Sequence, residues 1–399
     1  MTCTAGFRPA CIFHQVNTAA PISAAPISAA LISAALILAS LVVVGCRPSS
    51  ETPGPLAPVP EDAQLRRQLE EVLDWTYTNR HLNLRDHAAW QVMHGALVYK
   101  QDFVVEIEPG GERKPAVDYL LAGGKMKGWT FEPGSVLDEA TDRRGLRAVL
   151  EAGSKTGQGH AEQWLANLAQ CNFPPTQTIL VDGRTYTIAD YVSQVQLDVP
   201  RNVLREYSWT LSSLTAYMPT DAKWTASDGQ EWSIARLVEI EAEQELSTSA
   251  CGGTHRLGGL TVALLRHLQQ DGKLEGAWQA AEKKIQEAIQ TAKQYQNPDG
   301  SFSANYFQRG GKSSDLTSDV AVTGHIFEFL TLALKDSELK EAWVKRAAAH
   351  LCEVLDKTKE VALECGSLYH AAHGLDIYHT RRFEPRSYKP AAAKPLPAT

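Results

Sequence analysis

Two stretches of this chain, 46 residues apart, repeat one alternation of polar and apolar positions. The first is Asp182-Gly183-Arg184-Thr185-Tyr186-Thr187-Ile188-Ala189-Asp190-Tyr191-Val192. The second is Asp228-Gly229-Gln230-Glu231-Trp232-Ser233-Ile234-Ala235-Arg236-Leu237-Val238. In each, Asp-Gly predicts a tight turn and an aromatic residue follows. A hydroxyl residue then takes the N-cap position, and Ile-Ala opens a helix. The register continues without a gap, setting Tyr207 to Thr215 opposite Gly253 to Thr261 and Trp209 opposite His255. A fixed period of this length marks a repeat architecture.

Other segments fit the same slot. Gly159-His160-Ala161, Thr323-Gly324-His325 and Tyr369-His370-Ala371 resemble the helix start at Thr254-His255, and Met93-His94-Gly95 follows more loosely. Helix starts are therefore expected near His94, His160, Trp209, His255, His325 and His370. These apolar, Gly- and Ala-rich helices alternate with amphipathic ones such as Glu275 to Tyr295 and Ser337 to Leu355, whose Lys and Glu residues suit a solvated face. The expected fold class is all-α: an α/α toroid of about six helical hairpins, inner helices round a lumen and outer helices round those. Short strands are also predicted. Phe103 to Glu108 alternates before Pro109-Gly110-Gly111, and Thr178 to Val181 can pair with Arg184 to Thr187. Residues 102–155 fit the repeat poorly and read as a β-rich insertion.

Composition adds compartment and limits. The 399 residues are 44% apolar and 21% charged, ordinary for a globular chain, and the net charge of -7 argues against a nucleic-acid partner. Residues 1–45 read as a leader. An apolar run from Leu31 ends in Val43-Val44-Gly45-Cys46 and resembles a bacterial lipoprotein signal, which implies cleavage before Cys46 and lipidation of its thiol. The alternative is an uncleaved membrane anchor. Either way the membrane is a partner and the domain sits in the cell envelope, outside the cytoplasm. Residues 46–62 read as a tether, with five prolines between Arg47 and Pro60. Residues 63–383 form the domain, and 384–399 read as a disordered Pro/Ala/Lys-rich tail.

One further motif bears on the fold. Gln296-Asn297-Pro298-Asp299-Gly300-Ser301-Phe302 is similar to the Gln-x-x-Asp-Gly-Ser-aromatic motif of the terpene cyclase and prenyltransferase superfamily. The resemblance, extended through the repeats, covers His160 to Tyr378. It implies an α/α toroid in which the motif fastens one repeat to the next. That family's Asp-x-Asp-Asp run is absent, and Asp315 and Asp319 are spaced differently, so the resemblance carries fold and not cyclase activity.

In a toroid the inner helices run parallel and their N-termini meet at one rim. His160, His255, His325 and His370 are then expected to line one bowl, where helix N-termini favour anions and histidine suits acid–base work. Asp319 or Glu364 is the candidate carboxylate partner. Trp209, Tyr306, Arg309 and His373 are candidate ligand-binding residues, and the loop Ser301 to Ser314, with its Gly310-Gly311 hinge, is a candidate lid. The competing expectations are that Phe302 and Tyr306 only fasten the repeat, and that each histidine bonds its own loop. Cys251 and Cys365 precede His255 and His370 closely, so a zinc site of two thiolates and a histidine is a further expectation. It is similar to the Cys, Cys, His site of lanthionine cyclases, which are also α/α toroids. The alternatives are a disulfide or two buried thiols. Gly123-Gly124-Lys125 and Gly153-Ser154-Lys155-Thr156-Gly157 complete no phosphate loop and read as loops. The functional expectation is an enzyme doing acid–base chemistry on a glycan, lipid or peptide ligand. The alternative is a binding or scaffold protein.

Overall fold

The computed structural model describes residues 54–202 and 206–388. The leader, Cys46 and the tail beyond 388 lie outside them. Among the described residues there are twelve α-helices. They are α1 (Asp62–Asn79), α2 (Ala89–Tyr99), α3 (Ala116–Leu121), α4 (Gln163–Gln170), α5 (Ile188–Asp198), α6 (Ser208–Tyr217), α7 (Ile234–Glu243), α8 (Thr254–Gln269), α9 (Ala277–Gln294), α10 (Leu316–Ala333), α11 (Ala342–Lys357) and α12 (Cys365–Arg382). The strands form small antiparallel pairs: β1 (Val104–Glu106) with β2 (Arg113–Pro115), β3 (Trp129–Asp138) with β4 (Arg143–Leu150), β5 (Thr178–Val181) with β6 (Arg184–Thr187), and β7 (Lys223–Thr225) with β8 (Glu231–Ser233).

Burial separates two kinds of helix. On α9 the buried residues are Trp278, Ala281, Ile285, Ala288, Ile289 and Ala292, a single stripe at helical spacing. On α2 and α12 burial goes nearly all round. The even-numbered helices pack on one another in chain order. α2 meets α4, α4 meets α6, α6 meets α8, α8 meets α10, α10 meets α12, and α12 returns to α2. Odd-numbered helices pack against this set and on one another, α1 on α11 and α12, α7 on α9, α9 on α8, and α11 on α10. No helix among the described residues is long and apolar enough to cross a membrane.

The 46-residue register is a structural repeat. Hairpin β5–β6 turns at Asp182 and Gly183, both left-handed at φ 47° and 82°. Thr187 then caps α5 by accepting from the Asp190 amide at 3.2 Å, and Ser233 caps α7 by accepting from Arg236 at 3.0 Å. Residues 102–155 hold β1 to β4, with the unexpected short helix α3 between them. The β3–β4 hairpin lies on α5, where Arg143 reaches Asp190 at 2.7 Å and Arg147 forks onto Asp198 at 2.6 and 2.9 Å.

The helix starts need correction. Only Trp209 and His255 sit in a first turn; His94 and His370 are in the second turns of α2 and α12, and His325 is in the third turn of α10. His160 precedes α4. The real caps lie upstream: Asp315 accepts from the Thr317 and Ser318 amides, and Glu364 from those of Gly366 and Ser367. Gly324, read as a helix start, instead allows helices to touch. A Cβ there would stand 2.6 Å from the Ala371 Cβ, and one on Gly374 would stand 2.9 Å from the Glu328 nitrogen. Beyond 383, Tyr388 is buried and its hydroxyl donates to Asp376 at 2.7 Å.

Candidate functional site

The close contact of α10 with α12 sets His325 beside His370, with ring centroids 4.3 Å apart. Around this pair the even-numbered helices bring further imidazoles. His94 of α2 lies 5.0 Å from His370, and His255 of α8 lies 5.4 Å from His370 and 5.9 Å from His325. His160 lies 6.4 Å from His255, and Trp209 of α6 packs edge-on to His255 at 6.0 Å.

Each of these rings on a helix is oriented through its Nδ1. In α2 and α10 the acceptor is the carbonyl one turn back: His94 donates to Trp90 at 2.5 Å and His325 to Ala321 at 2.6 Å. Elsewhere it is a carboxylate. His255 donates to Glu206 at 3.0 Å, while His370 and His373 donate to the two oxygens of Glu328 at 2.6 and 2.5 Å. His370 and His373 are three residues apart on one helix face, so a single carboxylate spans both. Glu206 also accepts from Ser208 at 3.1 Å, the Ala250 amide at 3.2 Å and the Ser249 hydroxyl, and lies 3.6 Å from His160. The Nε2 atoms of His255 and His370 are buried without a hydrogen-bond partner.

This crowding splits the charge states. Burial and the neighbouring His370 bring His94 down to about 4. Burial, His370 and His255 hold His325 well below the usual imidazole range. Burial also disfavours charge on His255, but the adjacent Cys251 sulfur and Glu206 carboxylate outweigh it and push this ring up to about 10. Burial raises both glutamates, yet His255 and Ser249 hold Glu206 at about 2, and His370 and His373 hold Glu328 well below the carboxylate range.

A turn of unusual hand presents Cys251. Cys251, Gly252 and Gly253 are left-handed in succession, at φ 49°, 65° and 99°, just before α8. Left-handed backbone at a residue with a Cβ costs about 1 kcal/mol or more. Gly252 is required, because a Cβ there would fall 2.1 Å from the Tyr306 ring. Tyr306, itself left-handed, therefore lies over the cysteine turn. A sulfur from Cys251 and one nitrogen each from His255 and His325 lie within 4.8 Å of one another.

Beside the cluster is a cavity of about 340 Å³ lined from α2, α4, α6, α8, α10 and α12. His255, His373, Glu328 and Trp209 are among its polar lining, and Leu97, Val262, Leu332 and Ile377 are among its apolar walls. The exposed Lys100 and Arg266, at the C-terminal ends of α2 and α8, lie on its wall too. From His255 to Arg266 the cavity follows α8 for roughly 16 Å at 1.5 Å per residue. Its exposed end is thus the C-terminal one, where the sequence had suggested a bowl at the N-termini.

Several expected residues lie elsewhere. Asp319 faces α11, bonded to His350 at 2.7 Å and to the Thr323 hydroxyl at 2.7 Å. Arg309 is exposed, and its carbonyl accepts from Ser303. Glu364 is spent on its cap. Cys365 is buried against Gln91, whose amide donates to the sulfur at 3.4 Å, and it joins neither described cluster of metal-ligating groups. The expected pairing of Cys251 with Cys365 is therefore not formed, whether as zinc site or disulfide; all four described cysteines are free thiols. The Gln296 to Phe302 motif is a fastener here: Gln296 donates to the Trp343 carbonyl at 2.9 Å, and the Thr323 hydroxyl accepts from the Phe302 amide at 3.1 Å. Glu206 and Glu328 were missed from sequence. Glu328 carried a signal, standing three residues after His325 on a buried helix; Glu206 carried none beyond its charge.

Compared with family models, curated proteins and solved structures, this chain matches none.

Proposed function

We propose that the chain is an α/α toroid enzyme of the cell envelope whose lumen performs acid–base chemistry on a small amphiphile. The order of contacts from α2 round to α12 and back supports the toroid, as does the fastening role of Gln296 to Phe302 in its resemblance to the terpene cyclase and prenyltransferase superfamily. The lipoprotein-like leader and Cys46 supply the envelope location and the lipid tether.

One observation carries the catalytic reading. His255 and His373 reach the same cavity from α8 and α12, each with its Nδ1 held by a carboxylate, the buried Glu206 and the part-buried Glu328. A ring fixed in this way keeps its tautomer and aims its Nε2. His373, held by Glu328, is the acid–base group. His255, held by Glu206, receives the reacting end of the ligand. The apolar walls and the Lys100 and Arg266 cations suit a lipid fragment with an anionic end; a glycan matches those walls less well.

A panel of amphiphile esters and amides, peptides and glycosides tests this reading. One class is expected to turn over, with a loss of about 10²- to 10⁴-fold in His373→Gln. Amphiphile binding without turnover of any class would replace the enzyme with a binding protein of the same lumen.

A further inference from the structure

We infer that Cys251, His255 and His325 bind one zinc-like divalent metal ion at the floor of the cavity. This deepens the reading of the lumen as an active site and rests on His255 bounding the cavity. The donors come from two separate helices and the turn before one of them, yet their ligand atoms lie within 4.8 Å of one another. A thiolate with two imidazoles is a donor set that zinc favours.

Three features of the surroundings point the same way. Metal-binding histidines characteristically donate the second ring nitrogen to a carboxylate or carbonyl, which fixes the ring. His255 does so to Glu206 and His325 to the Ala321 carbonyl, leaving the Nε2 of each ring for the ion. Secondly, the Nε2 of His255 is buried with no partner, an arrangement that costs about 1–3 kcal/mol unless something occupies it. Thirdly, the two carboxylates at the cluster are matched by imidazoles alone, so a metal ion that takes a proton's place on a ring keeps their charge balanced. Among the described residues, neither Glu206 nor Glu328 contacts a lysine or arginine.

Three protein ligands leave a fourth position, the arrangement of catalytic zinc sites. His370 adjoins it. Its ring is 4.3 Å from His325 and 5.4 Å from His255, and its buried Nε2 also lacks a partner. That nitrogen can hydrogen-bond whatever fills the fourth position. His373 stays on the cavity wall as the acid–base group, while His255 receives the ligand's reacting end through the ion it holds.

The test is metal content and cobalt uptake by the whole chain. Purified protein is expected to carry about one zinc, and the stripped protein to bind cobalt(II) with a thiolate-to-metal charge-transfer band. Cys251→Ser, nearly isosteric, should abolish the band while keeping the helical circular dichroism. Glu206→Gln should weaken uptake by about 10- to 100-fold. Cys365→Ser should bind as the wild type does. A stripped wild-type protein that takes up no cobalt overturns the inference, and so does an undiminished band in Cys251→Ser. Metal content is read without turnover, so the two readings fail separately. Metal uptake with no catalysis upholds the ion and sinks the acid–base function. Turnover by a protein that takes up no metal does the reverse.

Discussion

Gly324 and Ala371 mark a close approach of α10 to α12, since a Cβ on Gly324 would meet the Ala371 Cβ at 2.6 Å. Their chain neighbours His325 and His370 consequently lie with ring centroids 4.3 Å apart, the planes tilted by 36°. A methyl group at 324 must force the helices apart. Gly324→Ala is expected to lower stability by about 1–3 kcal/mol, measured by urea unfolding, despite alanine's better helix propensity. Unchanged or increased stability would show that α10 and α12 are not held by this contact.

Arg256 and Glu241 form a buried pair at 2.8 Å between α8 and α7. Glu241 also accepts from the Tyr207 amide at 2.8 Å, so it ties down the neighbours of both His255 and Glu206. Removing one partner leaves a buried charge. Glu241→Ala should cost about 3–5 kcal/mol, and Glu241→Leu combined with Arg256→Met should recover most of it. Equal losses in the single and double variants would refute this role for the pair.

Lys100 and Arg266 should set the ligand's charge preference. Anilinonaphthalene sulfonate, an anionic amphiphile, is expected to bind the wild type, more weakly as salt rises. Lys100→Glu with Arg266→Glu should weaken binding by about 5- to 10-fold or more, at roughly 1 kcal/mol or less for each exposed charge. Equal affinity in both proteins would remove the anionic end from the proposed substrate.

Asp299 gives the fastening motif a pH dependence. Burial raises its carboxyl, but the Lys312 ammonium and Ser301 outweigh that and bring it from 3.8 to about 2. A depressed carboxylate stabilises the fold above the unfolded value, and that contribution fades as pH falls from 3.8 through about 2. Asp299→Asn should therefore flatten the stability curve in this acid window, followed by tryptophan fluorescence. A curve identical to the wild type would contradict the assignment.

What was legible in the sequence was local. The turn at Asp182-Gly183 and the caps Thr187 and Ser233 follow from residues a few positions apart, and the Trp209 to His255 correspondence from repeating that local pattern 46 residues on. The partners of the histidines were not legible, because His370 finds Glu328 across 42 residues and His255 finds Glu206 across 49. Distance also misled the choice of carboxylate. Asp319 lies six residues before His325, but on a helix that separation turns it toward α11 and His350. Gly324 was misread for a related reason. A glycine before a histidine looks the same whether it starts a helix or lets another helix come close.

Glu328 has one oxygen on His373 at the cavity wall and the other on His370 in the buried cluster. A carboxylate is a rigid planar fork, so its two ends cannot shift independently. A ligand that displaces the His373 ring must turn that fork, and the turn is delivered to His370. Through its two hydrogen bonds Glu328 thus couples the position of His373 at the cavity to that of His370 in the cluster.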